Sequence, residues 1–202
     1  MMSKHARFPS AVAALVLGLT LSACSEPPLD MVAAAGEAAR AARAAGAEEY
    51  APEALQAVVE AKAALTAEMA AQVEKVTILR RYGRAQQLAE AYLSAAEAAL
   101  AATEAAFKQA ETEVVALMNE GWTTLAEAPA LLASVPRGRL SAQEMASLRA
   151  DLASAEEGLK LADPLIPLGR YLEARVHASH AVEALNRVRD AVARAKEGAV
   201  GG

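Results

Sequence analysis

Only one cysteine, Cys24, occurs in 202 residues, so no disulfide within the chain can brace the fold. Aromatic side chains are nearly as scarce, at 3% of the sequence. Beyond the first 23 residues they are Tyr50, Tyr82, Tyr92, Phe107, Trp122 and Tyr171. Small-molecule pockets are usually lined by large apolar and aromatic groups, so this poverty favours a protein that works through its surface. Cations are outnumbered, 20 Lys and Arg against 25 Asp and Glu, which argues against a nucleic-acid partner. No apolar run reaches the roughly 20 residues that a membrane-spanning helix needs. The sequence has no Gly-x-Ser-x-Gly elbow and no Gly-rich phosphate loop. Its glutamates recur at the spacing of a solvated helix face, so the chain is read as a non-enzyme without a cofactor.

What is present begins with a basic start, Lys4, His5 and Arg7, followed by an uncharged apolar run from Ala11 to Leu21 and the small residues Ser22 and Ala23. These are the three parts of a secretory signal. Leu21-Ser22-Ala23-Cys24 resembles the lipobox of bacterial lipoproteins. That resemblance implies removal of residues 1–23, a diacylglycerol on the Cys24 thiol and acylation of the new amine. Three acyl chains hold a protein on a membrane where a single chain is marginal. Ser25 stands where an Asp retains well-studied Gram-negative lipoproteins in the inner membrane, so the expected place is the periplasmic face of the outer membrane, with the inner membrane the alternative. Processing removes two cations and no acid, taking the net charge from −5 to −7.

Residues 24–29 read as a tether, and 30–197 as helix throughout. Alanine makes up about a quarter of the chain. Asp30 is placed to cap a helix over 30–47 with Ala35, Ala38, Ala42 and Ala45 facing inward. Pro52 suits the first position of a second helix, 52–80, with a stripe of Leu55, Val58, Leu65, Met69 and Val76. Gly83 breaks the pattern. A third helix, 84–127, carries a heptad of Leu93, Leu100, Phe107 and Val114, with Ala96, Thr103, Ala110 and Leu117 three residues on and glutamates at its edges. Pro129 and Pro136-Arg137-Gly138 bound a long connection. Ser141 to Glu144 forms a capping box opening a fourth helix, whose seam is Met145, Leu148, Leu152, Ala155, Leu159 and Ala162. A fifth runs over 169–197 with Tyr171, Ala174, Ala178, Ala181, Leu185, Val188, Val192 and Ala195, and 198–202 is a frayed tail. The expected fold is therefore all-α: an elongated antiparallel bundle or coiled coil of about five helices. Residues 50–100 and 141–185 each hold a helix, a Gly turn and an Ala-rich helix, a faint internal repeat.

The run Glu37 to Gly46, followed by Tyr50-Ala51-Pro52-Glu53 and Ala-rich spacing to about residue 105, resembles a family of uncharacterised alanine-rich helical lipoproteins, catalogued as a domain of unknown function. Some members precede an outer-membrane-protein-A-like domain that binds peptidoglycan. This chain has no such domain, and the family supplies no catalytic residue.

Two clusters remain. Glu173, His177 and His180 share one side of the fifth helix, the basis of an alternative reading as a ligand- or metal-binding bundle. Di-iron bundles draw ligands from four helices, whereas here one helix carries every histidine beyond His5. Arg80, Arg81, Arg84 and Arg170 fall in two turns that strict up-and-down alternation sends to the tethered end, where they would face anionic headgroups. The functional expectation is a lipid-anchored scaffold or spacer in the periplasm with a protein partner.

Overall fold

The computed structural model describes residues 26–197, which form six α-helices and two short 3-10 turns. Helix α1 is Leu29–Ala44, α2 Ala47–Tyr50, α3 Pro52–Val73, α4 Gly83–Ala133, α5 Ala142–Ala162 and α6 Tyr171–Glu197. No strand occurs among the described residues, and the fold is an all-α helical bundle. The expected signal peptide, Cys24 and the 198–202 tail lie outside the described residues.

Helix α4 is the spine. Its 51 residues span about 76 Å at the standard rise. Alanine, the best helix former, dominates it. Helices α1 and α3 lie along its first half and α5 and α6 along its second. Two cores result. One gathers Ala35, Ala39, Ala42, Val58, Leu65, Ala89, Tyr92 and Ala96. The other gathers Val114, Met118, Ala155, Leu159, Ala174, Ala178, Ala181 and Leu185. In each half the chain runs up, down and up, and the third helix of the first half continues as the first helix of the second. Helix α1 is thus parallel to α4, as α6 is, while α3 and α5 run against it.

Small residues make up most of the centre of the α4 seam, with Tyr92, Val114 and Met118 among them. Ala85, Ala89, Ala96, Ala99, Thr103 and Ala110 are buried, whereas Leu93, Leu100, Phe107 and Leu117 are half-buried at the edges. Of the expected heptad, Ala96, Thr103, Ala110 and Val114 are buried as placed, while Leu93, Leu100, Phe107 and Leu117 line the edge of the seam. A helix covered from two sides buries a wide stripe, and small groups at its centre let the axes approach while larger ones close the flanks. Thr103 satisfies its buried hydroxyl by donating to the Ala99 carbonyl at 2.7 Å. The α5 and α6 seams fall where the three-four alternation places them, with Leu148, Ala155, Leu159 and Ala162 facing Ala174, Ala178, Ala181, Leu185 and Val188.

Helix ends differ from expectation in four places, the first being the end of α1 at Ala44, where Gly46 at φ +95° turns the chain into the separate α2 and makes six helices of the expected five. Helix α3 stops at Val73, not Arg80. The β-branched run Val76-Thr77-Ile78 disfavours helix, and Arg80 folds back to donate to the carbonyls of Val73 at 3.0 Å and Lys75 at 3.1 Å. Helix α4 continues through Pro129 to Ala133. Pro129 is exposed and lies four residues from the end of the helix, where the loss of one backbone bond interrupts little. Asp30 sits inside the first turn of α1, where its charge suits the helix N-terminus, and Pro28 takes the cap position. The Ser141–Glu144 capping box forms as expected, with both reciprocal bonds made.

Ala181 tests the second core, because its methyl faces α5 at the close approach allowed by Gly158. Ala181→Glu buries an unpaired charge at a cost of several kcal/mol. At roughly 2–4 °C per kcal/mol for a chain of this size, the thermal midpoint is expected to fall by about 10 °C. An unchanged melt would mean that α5 and α6 do not meet at this seam.

Candidate functional site

The two ends of the rod and its waist carry different side chains. At the waist, where α1 and α3 give way to α5 and α6, three of the six aromatics meet. Phe107 on α4 packs edge-to-face on Tyr50 from α2, with centroids 5.2 Å apart, and on Tyr171 from α6 at 5.0 Å. The Tyr50 hydroxyl donates to the Gly169 carbonyl at 3.3 Å, and that of Tyr171 to the Glu111 carboxylate at 3.2 Å. Burial, with the neighbouring Glu49 charge, pushes the Tyr50 hydroxyl above its ordinary pKa, and burial together with Glu111 does the same to Tyr171. Gly169 turns the chain into α6 with φ +71° against the Phe107 ring, a conformation that a side chain would strain. The Tyr50-Ala51-Pro52 turn is thus structural, supplying a ring for the waist, a buried methyl and the first residue of α3.

The near end holds the tether and the α3–α4 connection. Glu26 to Met31 lie beside Gln86 and Glu90, in the first turns of α4. Gln72 is buried there, donating to Glu68 at 2.6 Å and accepting from the Arg81 backbone at 3.0 Å. Arg80, Arg81 and Arg84 all belong to this end, and Arg84 reaches back towards Glu68 at 4.0 Å.

Arg170 does not join them. It lies at the waist, beside Gly169, and pairs with Glu173. The four-arginine grouping expected from alternating turns fails because α4 is about twice as long as its neighbours. The 163–170 turn therefore returns only to the level of Phe107, about 36 Å of helix beyond Gly83.

The Glu173, His177 and His180 trio is not drawn together either. Glu173 is engaged by Arg170, the His177 carbonyl faces Gly158, and His180 is exposed. Among the described residues, no group of three His, Cys, Asp or Glu is placed to hold a metal ion. Trp122 is 39% exposed on α4, with Val115 one heptad earlier also exposed.

The far end is polar. An open groove of about 600 Å³ lies between α5, α6 and the 134–141 loop, lined by Arg139, Glu144, Asp151, Arg187, Asp190 and Arg194. Arg187 pairs with Asp151 at 2.8 Å. Sequence reasoning did not single out the waist or this groove. Both join residues far apart in the chain: Phe107 of α4 gathers the waist, and the pairing of α5 with α6 forms the groove.

No family model, no curated protein and no solved structure matches this chain.

Phe107→Ala removes both ring contacts of the waist, and such a truncation costs about 2–4 kcal/mol. The two halves are then expected to melt in separate steps, seen as a van't Hoff enthalpy below the calorimetric one. A lower but still single transition would place the coupling in the α4 backbone alone.

The capping box gives a pH dependence. Bonds from the Ser141 backbone and side chain hold the Glu144 carboxyl below its ordinary pKa. A carboxyl lowered on folding contributes stability that is fully present above its unfolded value, about 4.3, and is lost as pH falls through the folded value. Glu144→Gln is expected to melt below the parent at pH 7, with the gap closing on acidification. A gap that is constant from pH 7 to 3 would refute the charged cap.

Proposed function

We propose that this protein is a lipid-anchored lipoprotein of the cell envelope that acts as a rigid spacer or protein-interaction scaffold, held on the periplasmic face of the outer membrane through Cys24. The observation that carries the reading is the lipobox-like run at residues 21–24, joined by residues 25–28 to one end of a rod built on a single long helix. A rod attached at its end places its other end about 76 Å away, within reach of partners that the membrane surface cannot meet. Closely packed alanine cores suit a spacer, because they leave little room for a ligand and make the rod stiff. The acidic balance supports a protein partner over nucleic acid. The far groove, with charges of both signs, and the Val115–Trp122 strip are the surfaces offered for contact. No cofactor other than the covalent lipid enters this reading, and no catalysis is assigned to it.

Cys24→Ala removes the thiol that would carry the lipid. The variant is expected to accumulate as uncleaved precursor or to leave the membrane fraction. Fractionation identical to the parent would end the anchor reading. Crosslinking in native membranes from positions on the far groove should then capture a discrete protein; crosslinks to lipid alone would remove the scaffold role.

A further inference from the structure

The α3–α4 connection exposes its apolar side chains to an unusual degree. Val73 is 58% exposed, Val76 62%, Ile78 87% and Leu79 60%. Isolated exposed apolar groups are ordinary, but four within seven residues at a protruding tip form a patch that water does not favour. The tip is not loose. Arg80 clamps it to the end of α3 through two backbone carbonyls, and buried Gln72 holds the Arg81 amide. The 3-10 turn Thr77–Leu79 is thus presented outward on a fixed base.

The charges around the patch have one dominant sign. Between residues 73 and 84 the only acid is Glu74, against Lys75, Arg80, Arg81 and Arg84, in a chain whose net charge is −5. Lys75 and Arg81 are exposed and form no ion pair among the described residues. Glu26 and Asp30, the acids nearest the chain start, belong to the tether side. An apolar tip ringed by long cationic side chains matches the layering of a bilayer surface, with acyl chains beneath anionic headgroups. Lys and Arg stems can lie along the apolar layer while their charges stay at headgroup level.

Position supplies the second argument. The tether enters beside the first turns of α4, the helix that follows the tip directly. Cys24 stands two residues before Glu26, within about 7 Å of extended chain. A lipid on Cys24 would therefore bring the membrane to this end.

We propose that the 73–84 tip inserts into the surface of an anionic lipid bilayer as a second attachment beside the Cys24 lipid, fixing the rod's angle to the membrane. The proposal rests on the anchor reading. Two points of attachment convert a swinging tether into a mounted post, with Val76, Ile78 and Leu79 in the outer acyl region and Lys75, Arg81 and Arg84 among the phosphates.

The test uses the full chain, expressed with its own signal and reconstituted into phosphatidylglycerol–phosphatidylethanolamine vesicles. Ile78→Cys supplies a thiol for an environment-sensitive fluorophore, and Arg137→Cys supplies the far-end control. The mass of the processed chain reports whether Cys24 carries lipid. Insertion predicts a blue shift and loss of emission at position 78 when nitroxide sits high on the acyl chains, and neither change at position 137. A lipidated protein whose position 78 responds no more than position 137 overturns the tip and leaves the anchor. A chain without lipid overturns the anchor. The two-point mounting then falls with it. A blue shift at position 78 before vesicles are added, with a doubled mass in sedimentation, would assign the patch to a second copy and overturn the proposal.

Discussion

A helix of 51 residues lined with alanine cannot be covered by one neighbour of ordinary length, and the rest of the architecture follows from that mismatch. Helices of 16 to 27 residues reach only part of its length. Two sets are therefore needed, each burying its own seam on the spine. Alanine at the centre of the seam brings the axes close but contributes little area per residue, so burial must be spread over many turns. The weak place is the junction, where one set ends and the next begins. Small residues cannot fill it, and there the chain places half of the six aromatics it has beyond the first 23 residues. Tyr50, Phe107 and Tyr171 come from three helices and close the gap with edge-to-face contacts.

Much of the local structure could be read from the sequence because it is set by local forces. The three-four alternation of α5 and α6 names the residues that face each other, and the Ser141–Glu144 box marks the start of α5. Boundaries were lost where a weak local preference meets a specific bond. The 74–80 segment contains no proline or glycine, so nothing in its pattern announces that Arg80 will cap α3. Pro129 announces a break that does not occur, because an exposed position near a helix end tolerates it. The long-range arrangement was legible only in one number, the unequal length of the expected third helix. Reading each turn as a full reversal placed Arg170 with Arg80, Arg81 and Arg84. A spine that outruns its partners stacks the second hairpin beyond the first and puts Arg170 at the waist.

The same arrangement explains the faint repeat. Gly83 opens α4 and Gly169 precedes α6, and in each half the two helices of the repeat run antiparallel, α3 against α4 and α5 against α6. Their resemblance in sequence is slight because the geometric demand is slight: an alternation of small apolar residues and a turn. Alanine meets that demand at almost any seam position, which lets two halves share a form while keeping few identities.

The solvated faces then decide what each level of the rod can do. Along the shaft, ion pairs such as Arg175–Glu113 and Arg189–Glu127 tie α6 to α4 at the surface, where each contributes little alone but several together keep neighbouring helices in register. The ends carry such pairs too, Arg84 with Glu68 and Arg187 with Asp151, but differ in what surrounds them. The far groove holds both signs, as a surface for polar protein contacts would. The near tip combines bare apolar groups with cations, a different mixture from the far groove. On the proposed reading the tether selects the end that faces the membrane, and the apolar and cationic tip beside it would set the angle at which α4 leaves the surface.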